Sequence, residues 1–284
     1  MAGEAMASAG PDASAVPGAS SQPVLAEAPG RVFITGASSG IGAALARRYA
    51  GQGAVLGLVG RRQDALLALA DALPGQGHRV YPLDVRDRPA LRAAAVDFLA
   101  GGPVDRVIAC AGISAGTLTD APEDFAVFQA IFDTNVLAMV ATFEPFIAAM
   151  RARRRGVLVG IGSVAGVRGL PGAGAYSASK AAVRAYCESL RVELRGSGVQ
   201  VVTLAPGFIA TPMTARNPYR MPFLMPVERF AERAVRAIEA GDRYRVIPWP
   251  MAWVGRLLRL VPDALYDAVA AGRKRKPRIP HDPE

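Results

Sequence analysis

The sequence is poor in cysteine, histidine and lysine, and it has no long uninterrupted apolar run. Two cysteines in 284 residues cannot supply a disulfide framework, which excludes the small bridge-stapled scaffolds and makes a reducing, cytosolic setting the expectation. Neither histidine, His78 nor His281, falls in a motif, and no ligand spacing for zinc is present. No window offers the roughly 18 apolar residues in a row that a spanning helix needs, and the start lacks the basic-then-apolar pattern of a secretory signal. The only lysines are Lys180, Lys274 and Lys276, so the formal charge of +9 is carried almost wholly by arginine. These charges form no recognised nucleic-acid module and carry no aromatic stacking platform, and no nucleic-acid partner is expected.

The chain is 51% hydrophobic and 20% charged, enough to bury a substantial core. Residues 1–29 are mainly Ala, Gly, Ser and Pro, a composition that predicts a disordered tail. From Arg31 onward short apolar runs alternate with amphipathic windows, the order of a parallel sheet wrapped by helices. Strands are expected at Val32–Ile34, Ala54–Val59, Arg79–Leu83, Arg106–Cys110, Val157–Ile161, Val199–Leu204 and Tyr244–Ile247. Helices are expected at Ile41–Ala50, Gln63–Leu73, Pro89–Leu99, Phe125–Arg151, Ala175–Arg195 and Val227–Glu239. The fold class is therefore α/β, one doubly wound Rossmann-type parallel sheet over residues 30–248. A helical extension follows over 249–272, and a basic tail over 273–284.

The first strand runs straight into Thr35-Gly36-Ala37-Ser38-Ser39-Gly40-Ile41-Gly42, with a helix opening behind it. Glycines permit the tight turn and let backbone amides approach a pyrophosphate, while the helix N-terminus supplies unpaired N–H groups and a favourable dipole. A glycine-rich turn without a ligand is the weaker alternative. At the end of the second strand, where a free ribose hydroxyl would want a carboxylate, the chain reads Val59-Gly60-Arg61-Arg62. An arginine there can pair with a 2′-phosphate, so NADP(H) is favoured, with NAD(H) as the alternative.

Tyr176-Ser177-Ala178-Ser179-Lys180 opens a helical window, and the four-residue step puts Tyr176 and Lys180 on one face. An ammonium, and an oxidised nicotinamide, would draw a phenol from its usual pKa of about 10 toward working pH. Ser163 ends the fifth strand at the carboxyl edge of the sheet, where its hydroxyl could hold a substrate carbonyl.

The spacing Thr-Gly-x-x-x-Gly-x-Gly together with Tyr-x-x-x-Lys resembles the short-chain dehydrogenase/reductase family over about Arg31 to Arg245. The resemblance implies reversible hydride transfer between a nicotinamide and a carbonyl carbon. It makes Ser163 the substrate-orienting residue and Tyr176 the proton donor, with Lys180 on the nicotinamide ribose and Asn135 completing a proton relay. It places Asp84 and Val85 at the adenine ring, Ala111 and Gly112 in a close glycine approach, and Pro206, Gly207, Ile209 and Thr211 beside the nicotinamide. Cys110 stands where the family often has asparagine. The family usually pairs through its long helices, which implies a homodimer or homotetramer. Fold analogy alone does not name a substrate.

Residues Phe208 to Pro226 make a long connection rich in thioether and aromatic groups, including Met213 and Phe223, which are expected either to form a lid over an apolar pocket or simply to pack the loop onto the domain. The expected substrate is thus a small hydrophobic ketone, aldehyde or secondary alcohol. Val254, Leu257, Leu258 and Val261 form a helical stripe beside Arg256 and Arg259, with Trp249 and Trp253 nearby. This helix either caps the pocket or a subunit interface, with a solvated basic tail behind it, or lies with residues 249–278 on an anionic membrane face. A nucleotide-sensing scaffold without turnover is the alternative to an enzyme.

Overall fold

Every apolar run read as a strand is one, and all of them pair in parallel. A computed structural model describes residues 30–272 and 275–278. Chain order begins β1 (Arg31–Thr35), α1 (Gly40–Ala50), β2 (Val55–Gly60), α2 (Gln63–Asp71), β3 (Arg79–Pro82), α3 (Arg88–Ala100) and β4 (Arg106–Ala109). Then come α4 (Asp124–Phe132), a π-helical turn (Asp133–Leu137), α5 (Ala138–Ala152), β5 (Gly156–Ile161), α6 (Gly174–Glu193) and β6 (Val199–Pro206). The chain continues through β7 (Ile209–Ala210), α7 (Pro212–Ala215), β8 (Met225–Pro226), α8 (Val227–Glu239), β9 (Tyr244–Ile247), α9 (Pro250–Leu260) and α10 (Asp263–Ala270). The tail expected over residues 1–29 lies outside the described residues, as do Arg273, Lys274 and residues 279–284 of the basic tail.

The sheet order is β3-β2-β1-β4-β5-β6-β9. The strand order reverses between β1 and β4, which makes the carboxyl ends there the crevice in which an open α/β sheet takes its ligand. Val157, Leu158, Val159 and Ile161 of β5 are buried, as a strand covered on both faces requires. One apolar layer joins the sheet to α1 and α8, and a second joins it to α3, α5 and α6. Opposite the crevice, the buried Arg106 guanidinium donates from Nε to Glu239 Oε1 at 2.8 Å and also pairs through Nη2, tying β4 to the end of α8. Tyr49 donates to the same carboxylate.

The expected helix Phe125–Arg151 is interrupted by a π turn, and Asn135 sits in that turn. The stretch Asp124–Ala152 is long and apolar enough, by length and composition, to cross a membrane. Here it packs as a core helix, with Phe143, Phe146 and Met150 buried against the sheet. The helix α9 differs from its expected stripe. Val254 and Leu258 turn inward with Met251 and Gly255, while Leu257 shares the outer face with Trp249, Trp253 and Leu260. Arg168, on the loop after β5, holds this extension down by donating to the carbonyls of Leu258 and Val261, each at 2.9 Å.

Candidate active site

The turn after β1 has the conformation that its glycines allow. Gly36 and Gly40 adopt positive φ angles of 68° and 54°, and a Cβ on Gly42 would stand 2.2 Å from the carbonyl oxygen of Gly36. Helix α1 can therefore begin tight against the turn, with extended Ser39 as its N-cap. Ser39 makes no side-chain cap bond, so the first amides of α1 have no side-chain cap here. Ile41 packs back on the core. These features fit the pyrophosphate of a dinucleotide.

Thr35 braces the neighbouring strand end. Its Oγ1 accepts from the amides of Cys110 at 3.2 Å and Ala111 at 3.3 Å. Cys110 removes a side-chain amide at that place, yet the threonine holds the backbone in position. Beyond it, a Cβ on Gly112 would lie 3.1 Å from Asn135 Oδ1 and 3.6 Å from Lys180 Nζ. Gly112, Asn135 and Lys180 are thus in one cluster.

The far end of the nucleotide groove is arginine-rich. Arg62 donates to the carbonyl oxygen and the hydroxyl of Ser38, at 3.1 and 3.2 Å. Gly60 faces that hydroxyl, which a Cβ would approach to 3.3 Å. Asp84, expected at the adenine ring, is gripped by Arg86, whose Nη2 reaches Oδ2 at 2.7 Å. This bond, helped by the charge of Arg61, holds the carboxyl below its ordinary range. Val85 is buried beside it. Arg86 was missed by motif reading because its role depends on a turn two residues long, in which its amide also donates to Asp84.

At the catalytic end, Asn135 is fully buried. It accepts from the amide of Ile113 at 2.8 Å and donates to the carbonyl of Ile113 and to Ser179 Oγ, both at 3.0 Å. A π turn widens the helix there, a feature frequent at functional sites. Lys180 Nζ donates to the carbonyl of Ile161 at 2.8 Å and stands 5.9 Å from the centre of the Tyr176 ring. Burial lowers its pKa to about 8. The pKa of the Tyr176 phenol is raised. Desolvation in the groove dominates, hydrogen bonding from Ser163 opposes it, and the neighbouring Tyr219 phenol raises it further. Ser163 is itself fixed, accepting from the amide of Ala165 at 3.1 Å.

Pro206 and Gly207 follow as expected, and Gly207 donates to Ile247 at 2.8 Å. A Cβ on Gly207 would meet Met251 at 2.8 Å, so α9 closes directly on this segment. Thr211 lies against Gly40, whose Cβ would approach it to 3.4 Å, and so joins the lid to the nucleotide turn. Buried Ile209 and Met225 pair as β7 and β8, pinning the two ends of the expected lid. Met213 and Phe223, expected to bind substrate, are 40% and 54% exposed. Of the residues in this connection, Tyr219 is the one whose phenol influences the titration of Tyr176 electrostatically. Among the described residues no group of His, Cys, Asp and Glu could hold a metal ion.

The arrangement can bind a dinucleotide across the strand-order reversal and present a protonated phenol, a serine hydroxyl and an ammonium at one end of it. The comparisons agree. A family model described as short chain dehydrogenase matches residues 31–220. An uncharacterized oxidoreductase of Myxococcus xanthus is 41% identical over 242 residues, covering 84% of this chain and 95% of that one. The mouse dehydrogenase/reductase SDR family member 7B is 33% identical, covering 86% of this chain and 71% of its own. Among solved structures, a short-chain dehydrogenase from Streptomyces avermitilis superposes with a TM-score of 0.72 at 22% identity, covering 85% of this chain and 97% of that one. By sequence, fold and the groove they build, this chain belongs to the short-chain dehydrogenase/reductase family, oxidoreductases of CH–OH or carbonyl groups that use a nicotinamide cofactor.

Proposed function

We propose that the protein is an NADP(H)-dependent reductase of a hydrophobic ketone or aldehyde, with Tyr176 as the proton donor. The observation that carries the reading is the desolvated phenol beside Ser163, one helical turn from Lys180. A phenol that holds its proton near neutrality, beside a serine hydroxyl, can give that proton to a carbonyl oxygen. The bound nicotinamide supplies the hydride. Ser163 orients the carbonyl, Tyr176 gives its oxygen a proton, and Asn135 fixes the backbone of Ile113 at the wall of the groove. The Lys180 ammonium, within reach of Gly112, is placed to hold the ribose.

The choice of NADP(H) rests on Gly60, Arg61 and Arg62. No carboxylate occupies the ribose position, and two guanidiniums border it, one of them hydrogen-bonded to Ser38. NADPH should bind at least about tenfold tighter than NADH, and Arg61→Ala together with Arg62→Ala should erase that difference. Equal binding in the parent chain would contradict the phosphate reading. Turnover is tested separately with a carbonyl panel graded by chain length and ring size. Tyr176→Phe should keep cofactor binding and lower turnover by about 10²–10⁴-fold. Cofactor binding without turnover of any carbonyl would favour the scaffold alternative.

The outer face of α9 suits peripheral contact with an anionic membrane surface, on the inner face if the protein is cytoplasmic. Trp249, Trp253, Leu257 and Leu260 are 65%, 56%, 62% and 80% exposed. Arg256 stacks on Trp253 at 5.2 Å. Aromatic and apolar groups edged by arginine suit an anionic lipid interface. Flotation with anionic vesicles should carry the intact chain and leave Trp249→Ser/Trp253→Ser behind, whereas equal flotation removes the membrane contact. Exposed Phe125, Leu137 and Val192 on α4, the π turn and α6 supply the apolar faces through which a homodimer or homotetramer would form.

A further inference from the structure

The described part of the C-terminal tail returns to the catalytic face. Arg278 pairs with Glu123 at 2.5 Å and with the buried Asp124 at 2.8 Å. Gly116 donates to the carbonyl of Pro277 at 2.9 Å. Only glycine fits at Gly116, since a Cβ would stand 2.3 Å from the carbonyl oxygen of Lys276. This anchoring sets Lys276 over the catalytic tyrosine. Its Nζ lies 5.4 Å from the centre of the Tyr176 ring and donates to Ser114 Oγ at 2.6 Å.

Lys276 is half-buried, and among the described residues no carboxylate reaches it. The nearby acids, Glu123 and Asp124, are engaged by Arg278 instead. An ammonium has three donors, and Ser114 takes one of them. A partly desolvated cation with donors to spare, facing the groove and lacking an anionic partner, gains most from an anion that enters with the substrate. Burial presses it toward the neutral form, and a bound anion would reverse that pressure.

We propose that Lys276 is a specificity-determining residue whose ammonium pairs with the carboxylate of an oxo acid, an apolar substrate carrying its anion a few bonds from the carbonyl. The short separation follows from placement, because the ammonium lies 5.4 Å from the centre of the ring that carries the phenol hydroxyl. The anchored strap would make the tail one border of the substrate site beside Tyr176. This assignment rests on the carbonyl-reductase reading for its chemistry, but the lysine's preference for an anion can be measured without turnover.

The test is calorimetric binding of octanoate and octanamide to the full-length chain, alongside reduction of a medium-chain β-oxo acid and its methyl ester. The parent chain should bind octanoate about tenfold or more tighter than octanamide, and should prefer the oxo acid to its ester by a similar factor in kcat/KM. Lys276→Met should bring both ratios close to one, and Lys276→Arg should restore them. Equal binding of acid and amide by the parent chain, or a preference that survives Lys276→Met, would overturn the assignment. A parent chain that prefers octanoate yet reduces neither carbonyl would support the anion site and refute the reductase reading. Reduction of the ester without any anion preference would do the opposite.

Discussion

At Lys180 two demands on one ammonium are in conflict. It is buried, which lowers its pKa to about 8, and the role proposed for it beside the nicotinamide ribose and the phenol would need the charge. The folded pKa lies below that of an exposed lysine, so the charged form is complete below about pH 7 and is lost as pH rises through about 8. The rate of carbonyl reduction should therefore fall through a single ionisation near pH 8, read from kcat/KM profiles. Lys180→Arg should move that inflection out of the accessible range, because a guanidinium keeps its proton. A parent profile flat to pH 9.5 would show that the lysine charge is not required.

The elements that hold the site were legible in sequence to different degrees. The glycine turn and the Tyr176–Lys180 face are short-range patterns, so spacing alone located both. The grip of Arg86 on Asp84 and the approach of Lys276 were not legible. Lys276 comes to Tyr176 across 100 residues of chain, and only the anchoring of Arg278 brings it there. Sequence periodicity misassigned Leu257 for a related reason, since it fixes which residues share a helix face but not how the helix rotates against its neighbours. Gly42 offers the sharpest test at this scale. An alanine there would place its Cβ 2.2 Å from the carbonyl oxygen of Gly36, which is backbone and has no rotamer to give. Gly42→Ala should cost about 1–3 kcal/mol in urea denaturation and weaken cofactor binding by about tenfold or more. Unchanged binding and stability would mean that the turn yields freely.

Across the whole molecule, buried titratable groups set how stability responds to alkali. Burial pushes the Cys187 thiol up to about 11 and that of Cys110 to about 12. Unfolded thiols ionise from about pH 8.5, so above that pH the unfolded chain binds fewer protons than the folded one and stability falls. The lysines act in the opposite sense. Lys180 is lowered to about 8 in the folded chain, so between about pH 8 and 10.4 the unfolded chain holds a proton that the folded chain has released, and stability rises; Lys276, also lowered, acts in the same sense. Thiols and ammoniums therefore oppose one another. Above about pH 10 the phenols decide, since burial raises Tyr49, Tyr176 and Tyr186, and the unfolded chain gains by ionising them. Urea midpoints should change less between about pH 7 and 10, where thiols and ammoniums oppose one another, than above about pH 10, where they should drop steeply. Cys187→Ala lowers the whole curve through the lost packing against Met139, but it also deletes one downward contribution. Its midpoint should consequently climb, relative to that of the parent chain, between about pH 8.5 and 10. A parallel pair of curves would show that the thiol ionises as readily inside the fold as outside it.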